Sequence, residues 1–454
     1  MGWDGWIRPG RWHPVTLTVR SDRAVEGWIV LELTQGPEGR VRYRRPVQLS
    51  EGATALLRMA VPLRDVRSPP VLTLEAEGKV LASVAAATSP RRASASLIGV
   101  LDRERRGFPL SPDQAAAFLD EGDLPEDAVA YTSLDFLVIR SLDERELNER
   151  QHAALRAWVT HGGRVLVADG FEPTGPLGSW LVSGRTGLGA VKRWRPSTPL
   201  RPPRAPEADP LQVVTPSPPR APFGRAAAGL AGAWLLLLAA LRVAGSGRNR
   251  WIALPIGAAL ATAGLVRLAG DLRERVTLPN RQQVTVVAEG IAWTHGSSSQ
   301  ISAYGGPVAY RLPSRSSVAL RGEFTDAEVR QMPEGTWVLA AAQQPGRPLG
   351  VRWERVDRTT LGAALDPQGR WLLLEGGTLS SSWLLWRGQM RGFERLLPGR
   401  TFLDPARWRA ADPDHPGVRA WRQVDPASDD IMRDHPVVLA EAGDHWIVLV
   451  VQRR

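Results

Sequence analysis

The sequence predicts a multidomain α+β membrane protein. In chain order it comprises an N-terminal β-sandwich, a small parallel α/β domain, a two-helix transmembrane hairpin and a C-terminal β-rich domain. Three observations carry this. Short alternating apolar runs separated by Gly/Pro turns fill the first 90 residues and everything past Asn280. Uniformly apolar strands bracket a well-capped helix between about residues 94 and 195. Two uncharged 16-residue stretches, Ala226 to Leu241 and Trp251 to Val266, follow a proline-rich spacer. A chain of 454 residues is also too long for one hydrophobic core.

In the first unit, residues 1–90, Val15-Thr16-Leu17-Thr18-Val19 alternates so that every second side chain faces a core. Trp28 to Leu33, Ala53 to Val61, Val71 to Ala76 and Val80 to Ala85 are further strands. Pro9-Gly10, Gly36-Pro37, Glu51-Gly52 and Glu77-Gly78 supply the reversals between them. The length and spacing suit a β-sandwich of immunoglobulin-like size.

The second unit, 94–195, opens with the strand Ser96 to Leu101 and adds Phe136 to Ile139 and Val165 to Ala168. Ser111-Pro112-Asp113-Gln114 reads as a capping box and predicts a helix running to about Leu119. Asn148 caps a second helix with Gln151 at N3; Leu155, Trp158 and Val159 give it an apolar face, and Gly162-Gly163 stops it. Residues 196–224 form a linker in which ten of the residues 196–222 are proline.

The apolar pair, 225–270, approaches spanning length once Arg225, Arg242 and Arg267 are allowed to snorkel. Gly229 with Ala233, and Ala253 with Gly257 and Ala261, repeat small residues at four-residue spacing, which lets two helices in lipid approach closely. A lipid bilayer is therefore an expected partner. An even number of spans puts both globular blocks on one side. The arginines flanking the segments do not decide which side. The 280–454 unit reads as β-rich, with strands such as Trp337 to Ala341, Trp371 to Leu374 and Trp446 to Val451.

Composition narrows the chemistry. Cysteine is absent, which removes disulfides, thiolate metal sites and every cysteine nucleophile. Net charge is +10; Lys79 and Lys192 are the only lysines, so 55 of the 57 basic residues are arginine. Because these are scattered, the skew reads as codon usage and not as a nucleic-acid footprint. No phosphate-binding P-loop and no G-x-S-x-G nucleophile elbow occurs. Asp414-His415, Asp434-His435 and Asp444-His445 are potential ligand pairs, but neighbouring residues on a strand point to opposite faces and do not chelate together. No cofactor or metal is expected. The eighteen tryptophans read mainly as core residues of the sandwiches.

The run Leu134 to Ile139, then Gln151 to Val159, then Gly162 to Val167 resembles the class I glutamine amidotransferase-like fold, a flavodoxin-like arrangement. It is most similar to the variant in bacterial membrane proteins that places this fold between an immunoglobulin-like domain and membrane helices. Gly5 to Val15 resembles the first strand of that leading domain, and the resemblance covers about residues 2 to 270. It implies an exported protein, with both blocks outside the cytoplasm. The catalytic cysteine of true amidotransferases has no counterpart here, which argues against glutamine hydrolysis. A parallel sheet of this kind presents ligands to its strand C-termini, where Asp102, Asp169 and Gly170 are the candidate ligand-binding residues. The expected function is a non-enzymatic, membrane-anchored envelope protein that binds or assembles protein partners. The alternatives are an α/β hydrolase-like enzyme working through Asp102 and Asp169, or an accessory subunit of a membrane transport complex. The chain opens on Met1-Gly2-Trp3 and enters a strand at once, which leads us to expect a further upstream segment.

Overall fold

In the strand Arg40–Leu49, Val41, Tyr43, Val47 and Leu49 are buried while most of the residues between them reach solvent, as period-two alternation requires. In the computed structural model this pattern repeats through most of the chain. The described residues are 2–195 and 280–453, apart from segments 35–38, 64–68, 87–89, 94–95, 113, 173–176, 179–184, 302–305, 323, 325, 344–347 and 425–427.

Four strands of the first 90 residues belong to a sheet that late strands complete. A seven-stranded sheet runs in the order Gly306–Leu312, Gly335–Gln343, Asp326–Met332, Arg40–Leu49, Val25–Thr34, Val71–Ala76 and Lys79–Ala85. At its centre Asp326–Arg330 lies parallel to Arg40–Arg44. Every other pairing in it is antiparallel. Across that junction Arg42 meets Asp326 at 2.7 Å, and Arg44 bridges Glu75 at 2.6 Å and Glu328 at 3.4 Å. The antiparallel pair Arg11–Arg20 and Thr54–Leu63 contributes to the same core. There Ile7, Val15, Leu31, Leu33 and Val61 pack with Val318, Val329, Val338, Val351 and Trp353. Early and late parts of the chain thus share one core, which no local sequence pattern encodes.

Residues 96–194 form a six-stranded sheet. Its order is Gln114–Leu119, Ser96–Leu101, Phe136–Ile139, Arg164–Ala168, Gly189–Trp194 and Arg185–Thr186. The first five strands are parallel and the last antiparallel. The helix Glu149–Thr160 forms where its caps place it: Asn148 accepts from the N–H groups of Arg150 and Gln151, and the Gln151 side chain returns a bond to the Asn148 N–H. Gly163 lies so close to the Trp158 ring that a Cβ there would overlap it.

The segment after Ser111 corrects the sequence reading. One of the two expected bonds forms, the Ser111 N–H donating to Gln114 Oε1, but the Gln114 N–H donates to the Ser111 carbonyl and not to its hydroxyl. They close a turn and not a helix, and Gln114–Leu119 is an edge strand parallel to Ser96–Leu101. Its alternating burial, with Ala115, Ala117 and Leu119 inside, is the signal that the capping box outranked in the sequence reading.

The last unit is built on a nine-stranded sheet, in the order Ser317–Gly322, Pro348–Arg358, Ile291–Ile301, Asn280–Ala288, His445–Val450, Val437–Ala442, Leu379–Trp386, Gln389–Leu396 and Arg409–Ala410. A four-stranded sheet, Gly399–Phe402, Trp371–Glu375, Gly362–Leu365 and Gln452–Arg453, covers part of one face over Leu372, Leu384, Val438 and Leu449. The short helices Pro416–Val424 and Ser428–Asp434 seal another core through Val418, Trp421 and Ile431.

The predicted fold class therefore needs correction. The described chain is mostly β, and no helix among the described residues is long and apolar enough to cross a membrane. The two-pass hairpin, and the membrane placement built on it, are not supported. Residues 226–241 and 251–266, on which the hairpin was placed, lie outside the described residues, as does the proline-rich linker.

Candidate functional site

Asp102, Asp169 and Gly170 lie where the sequence puts them, at the C-terminal ends of the strands Ser96–Leu101 and Arg164–Ala168. The two carboxylates differ in setting: Asp102 is enclosed, whereas Asp169 is exposed. Asp102 is fully buried; its oxygens accept from the N–H groups of Glu104 and Arg106 and from the Arg140 guanidinium at 3.1 Å, with Arg106 at 3.5 Å. Burial alone would raise its pKa, but the bonds from Arg140, Arg106 and the Glu104 N–H outweigh that and hold it below the ordinary value. Arg140 is itself wedged over the rings of Phe108 and Trp194, which stack at 5.2 Å. One strand further along, Asp169 pairs with Arg195 at 2.9 Å. Gly170 adopts a positive φ of 92° in the following turn. Asp102 and Asp169 are thus each paired with an arginine at the end of a neighbouring strand, and not with each other. Among the described residues no group of three His, Asp or Glu side chains converges to hold a metal ion. His415 instead packs edge-on against Trp383 and Trp446.

A polar cluster that the sequence did not suggest lies where the three units meet. Glu354 is buried and takes hydrogen bonds from Trp12 Nε1 and Trp293 Nε1, each at 3.1 Å, and from Arg352 at 3.0 Å, with His295 Nδ1 at 3.7 Å. Burial would raise its pKa, but Arg352, His295 and the bond from Trp12 pull it far below the ordinary carboxylate range. Nearby, Asp127 caps the short 3₁₀ helix Ala128–Ser133 through the Val129 N–H and accepts from Ser317 Oγ at 2.9 Å. Desolvation raises the Asp127 pKa; those two bonds oppose it, and the charge of Glu354 adds to the rise.

Asp127 also lines an open cleft of about 910 Å³ walled by all three units. Arg45 and Arg58 come from the N-terminal strands, Arg150 and Arg156 from the helix Glu149–Thr160, and Arg315 and Arg358 from the C-terminal strands and their turns. Pro14, Ala60, Ala153, Ala157, Ile291 and Val356 supply apolar surface between these charges. Among the described residues that line the cleft, none is aromatic. Clefts at unit junctions, with a few convergent polar groups, are where ligands are usually held.

Comparison with known proteins adds little to this geometry. Residues 1–89 match a domain of unknown function (DUF8726). No curated protein matches the chain. Among solved structures, a cycloisomaltooligosaccharide glucanotransferase from Paenibacillus sp., in complex with cycloisomaltoheptaose, is similar at 11% identity and a TM-score of 0.17. That alignment covers 81% of this chain and 72% of the other. A similarity that low carries no argument about fold or activity. None of these findings bears on the immunoglobulin-like or amidotransferase-like resemblance.

The sequence reading missed the cleft because its arginines are dispersed: no two of the six are closer than six residues in the chain. The one local signal was Arg150 and Arg156 on the helix, separated by small alanines.

Proposed function

We propose that this chain is a non-enzymatic binding protein that assembles protein partners at the three-walled cleft. The observation that carries the reading is the contrast between its two polar regions. At the α/β sheet edge, Asp102 is buried in an ion pair with Arg140, and Asp169, at the surface, pairs with Arg195. At the unit junction, the cleft is wide, open and framed by charged side chains on rigid strands and a helix. The α/β hydrolase-like alternative needs one of those aspartates as a base or nucleophile; Asp102 is buried beneath Arg140, and Asp169 pairs with Arg195 with no histidine or second carboxylate bonded to it among the described residues.

The absence of cysteine gives a clean test. Ala153 is exposed within the cleft, and Ser380 is exposed on a strand of the nine-stranded sheet that does not line it. Each is replaced by cysteine and loaded with a photo-crosslinker in the producing cell. The A153C protein should give one adduct of fixed stoichiometry, displaced by excess unlabelled protein, and S380C should not give that adduct. The same adducts from both positions, or no competable adduct from A153C, would sink the proposal.

A further inference from the structure

The cleft carries its own statement about what fits it. Four carboxylates line it, and all four are engaged. Glu126 is held by Arg58 at 2.7 Å, Asn148 at 3.0 Å and Arg150 at 3.6 Å. Asp127 is bonded to the Val129 N–H and Ser317, Glu289 accepts from the Gly187 N–H at 2.7 Å, and Asp357 pairs with Arg355. Of the arginines without a carboxylate partner, Arg45 donates to the Arg58 carbonyl, which leaves three. Arg156, Arg315 and Arg358 are exposed, and none makes an ion pair among the described residues. With six arginines against four carboxylates in its lining, the cleft carries an excess of positive charge.

We propose that the cleft recognises an acidic, extended segment of a partner protein, in which spaced Asp or Glu side chains meet Arg156, Arg315 and Arg358. This rests on the partner-binding reading above and names the chemistry of the partner. The three arginines stand on separate elements: a helix, the turn before Ser317–Gly322, and the end of Pro348–Arg358. A compact anion such as phosphate engages one such site, whereas an extended chain spans several. Guanidinium groups pair with carboxylates in a fixed bidentate geometry and stay charged at every working pH. The apolar patches from Ala153, Ala157 and Ile291 suit the backbone and short side chains of a peptide. Nucleic acid is disfavoured, because the described lining of the cleft offers no aromatic platform on which bases could stack.

The probe is a fluorescein-labelled decapeptide of alternating Glu and Ala, titrated with the full chain and followed by polarisation. Binding should weaken steeply between low and physiological salt, because exposed charges are screened over about 8–10 Å. The triple variant R156E/R315E/R358E should lose about a hundredfold in affinity, on the order of fivefold for each reversed charge. Arg395, an exposed arginine that does not line the cleft, serves as control, and R395E should bind as the parent does. Matching thermal melts keep loss of binding separate from loss of fold. Unchanged affinity in the triple variant would overturn the inference. So would displacement of the peptide by inorganic phosphate at equal concentration, or tighter binding of a single-stranded oligonucleotide. If A153C captures a partner but the peptide does not bind, the acidic-segment inference fails while the binding function stands.

Discussion

Glu354 joins strands from opposite ends of the chain through single hydrogen bonds, since Trp12 and Trp293 both donate to it. Its charge balances that of the buried Arg352. Removing one member of a buried pair leaves the other charge uncompensated, at a cost of about 3–5 kcal/mol. Glu354→Gln keeps the size and one acceptor oxygen, so its effect isolates the charge. We expect a urea midpoint lowered by that order with little change in slope. His13 gives a pH signature of opposite origin. It is fully buried, accepts or donates only through Nε2 to the Arg8 backbone, and burial lowers its pKa from 6.5 to about 4. Between those values the unfolded chain takes up a proton that the folded chain refuses. Stability should therefore fall as pH drops from 6.5 towards 4, by about 3 kcal/mol, and be unaffected by this group above that window. Urea titrations at pH 7.5 and 4.5 measure the loss, and His13→Gln should remove most of the difference. Glu354 adds a separate loss near and below pH 4.5, where the unfolded chain protonates that carboxyl and the fold resists it, so the His13→Gln comparison is what isolates the histidine's share. Neither residue announced itself in the sequence. A lone buried Glu or His has no spacing rule, and Trp12, which helps to bury Glu354, lies 342 residues away in the chain.

At the scale of elements, close backbone approach decides what a position tolerates. Gly296 lies opposite Trp353 across the strand pair Ile291–Ile301 and Pro348–Arg358, and its missing side chain is the space the indole occupies. Gly296→Ala forces a Cβ into that ring, and overpacking of this kind costs about 1–3 kcal/mol. Because Trp353 is in the shared core, the loss should appear in the melt of the whole chain and not as local fraying. Strands and turns were largely legible: among the described residues, every strand run read from the sequence falls within or across an observed strand. The helix Glu149–Thr160 was readable because its cap, apolar stripe and glycine stop agree. The stretch after Ser111 was misread because a four-residue turn and a helix start share the same side-chain bond. Only the alternation that follows separates them.

For the whole molecule, what the sequence could not show is which strands are neighbours. The parallel junction of Asp326–Arg330 with Arg40–Arg44 makes residues 1–89 an incomplete sheet when taken alone. A fragment of residues 1–93 should therefore lack a cooperative unfolding transition by calorimetry. Adding the separately produced fragment 280–454 should restore one. A sharp transition in the isolated N-terminal fragment would mean that the late strands only decorate a finished unit. The same non-local assembly creates the cleft, whose arginines come from all three walls, so a scan for local motifs had no access to it.

The junction also sets a schedule for synthesis. Arg42 and its partner Asp326 are 284 residues apart. At about 5–20 residues per second, the ribosome takes roughly 15–60 s to deliver the second after the first. Throughout that interval the central strand of a seven-stranded sheet has one edge bare, with Val41, Tyr43 and Val47 lacking their full cover. The nascent chain must be kept from pairing that edge with another copy of itself. We therefore expect soluble yield to rise when translation is slowed at low temperature or when a holdase chaperone is co-expressed, with aggregation concentrated in chains truncated before residue 326.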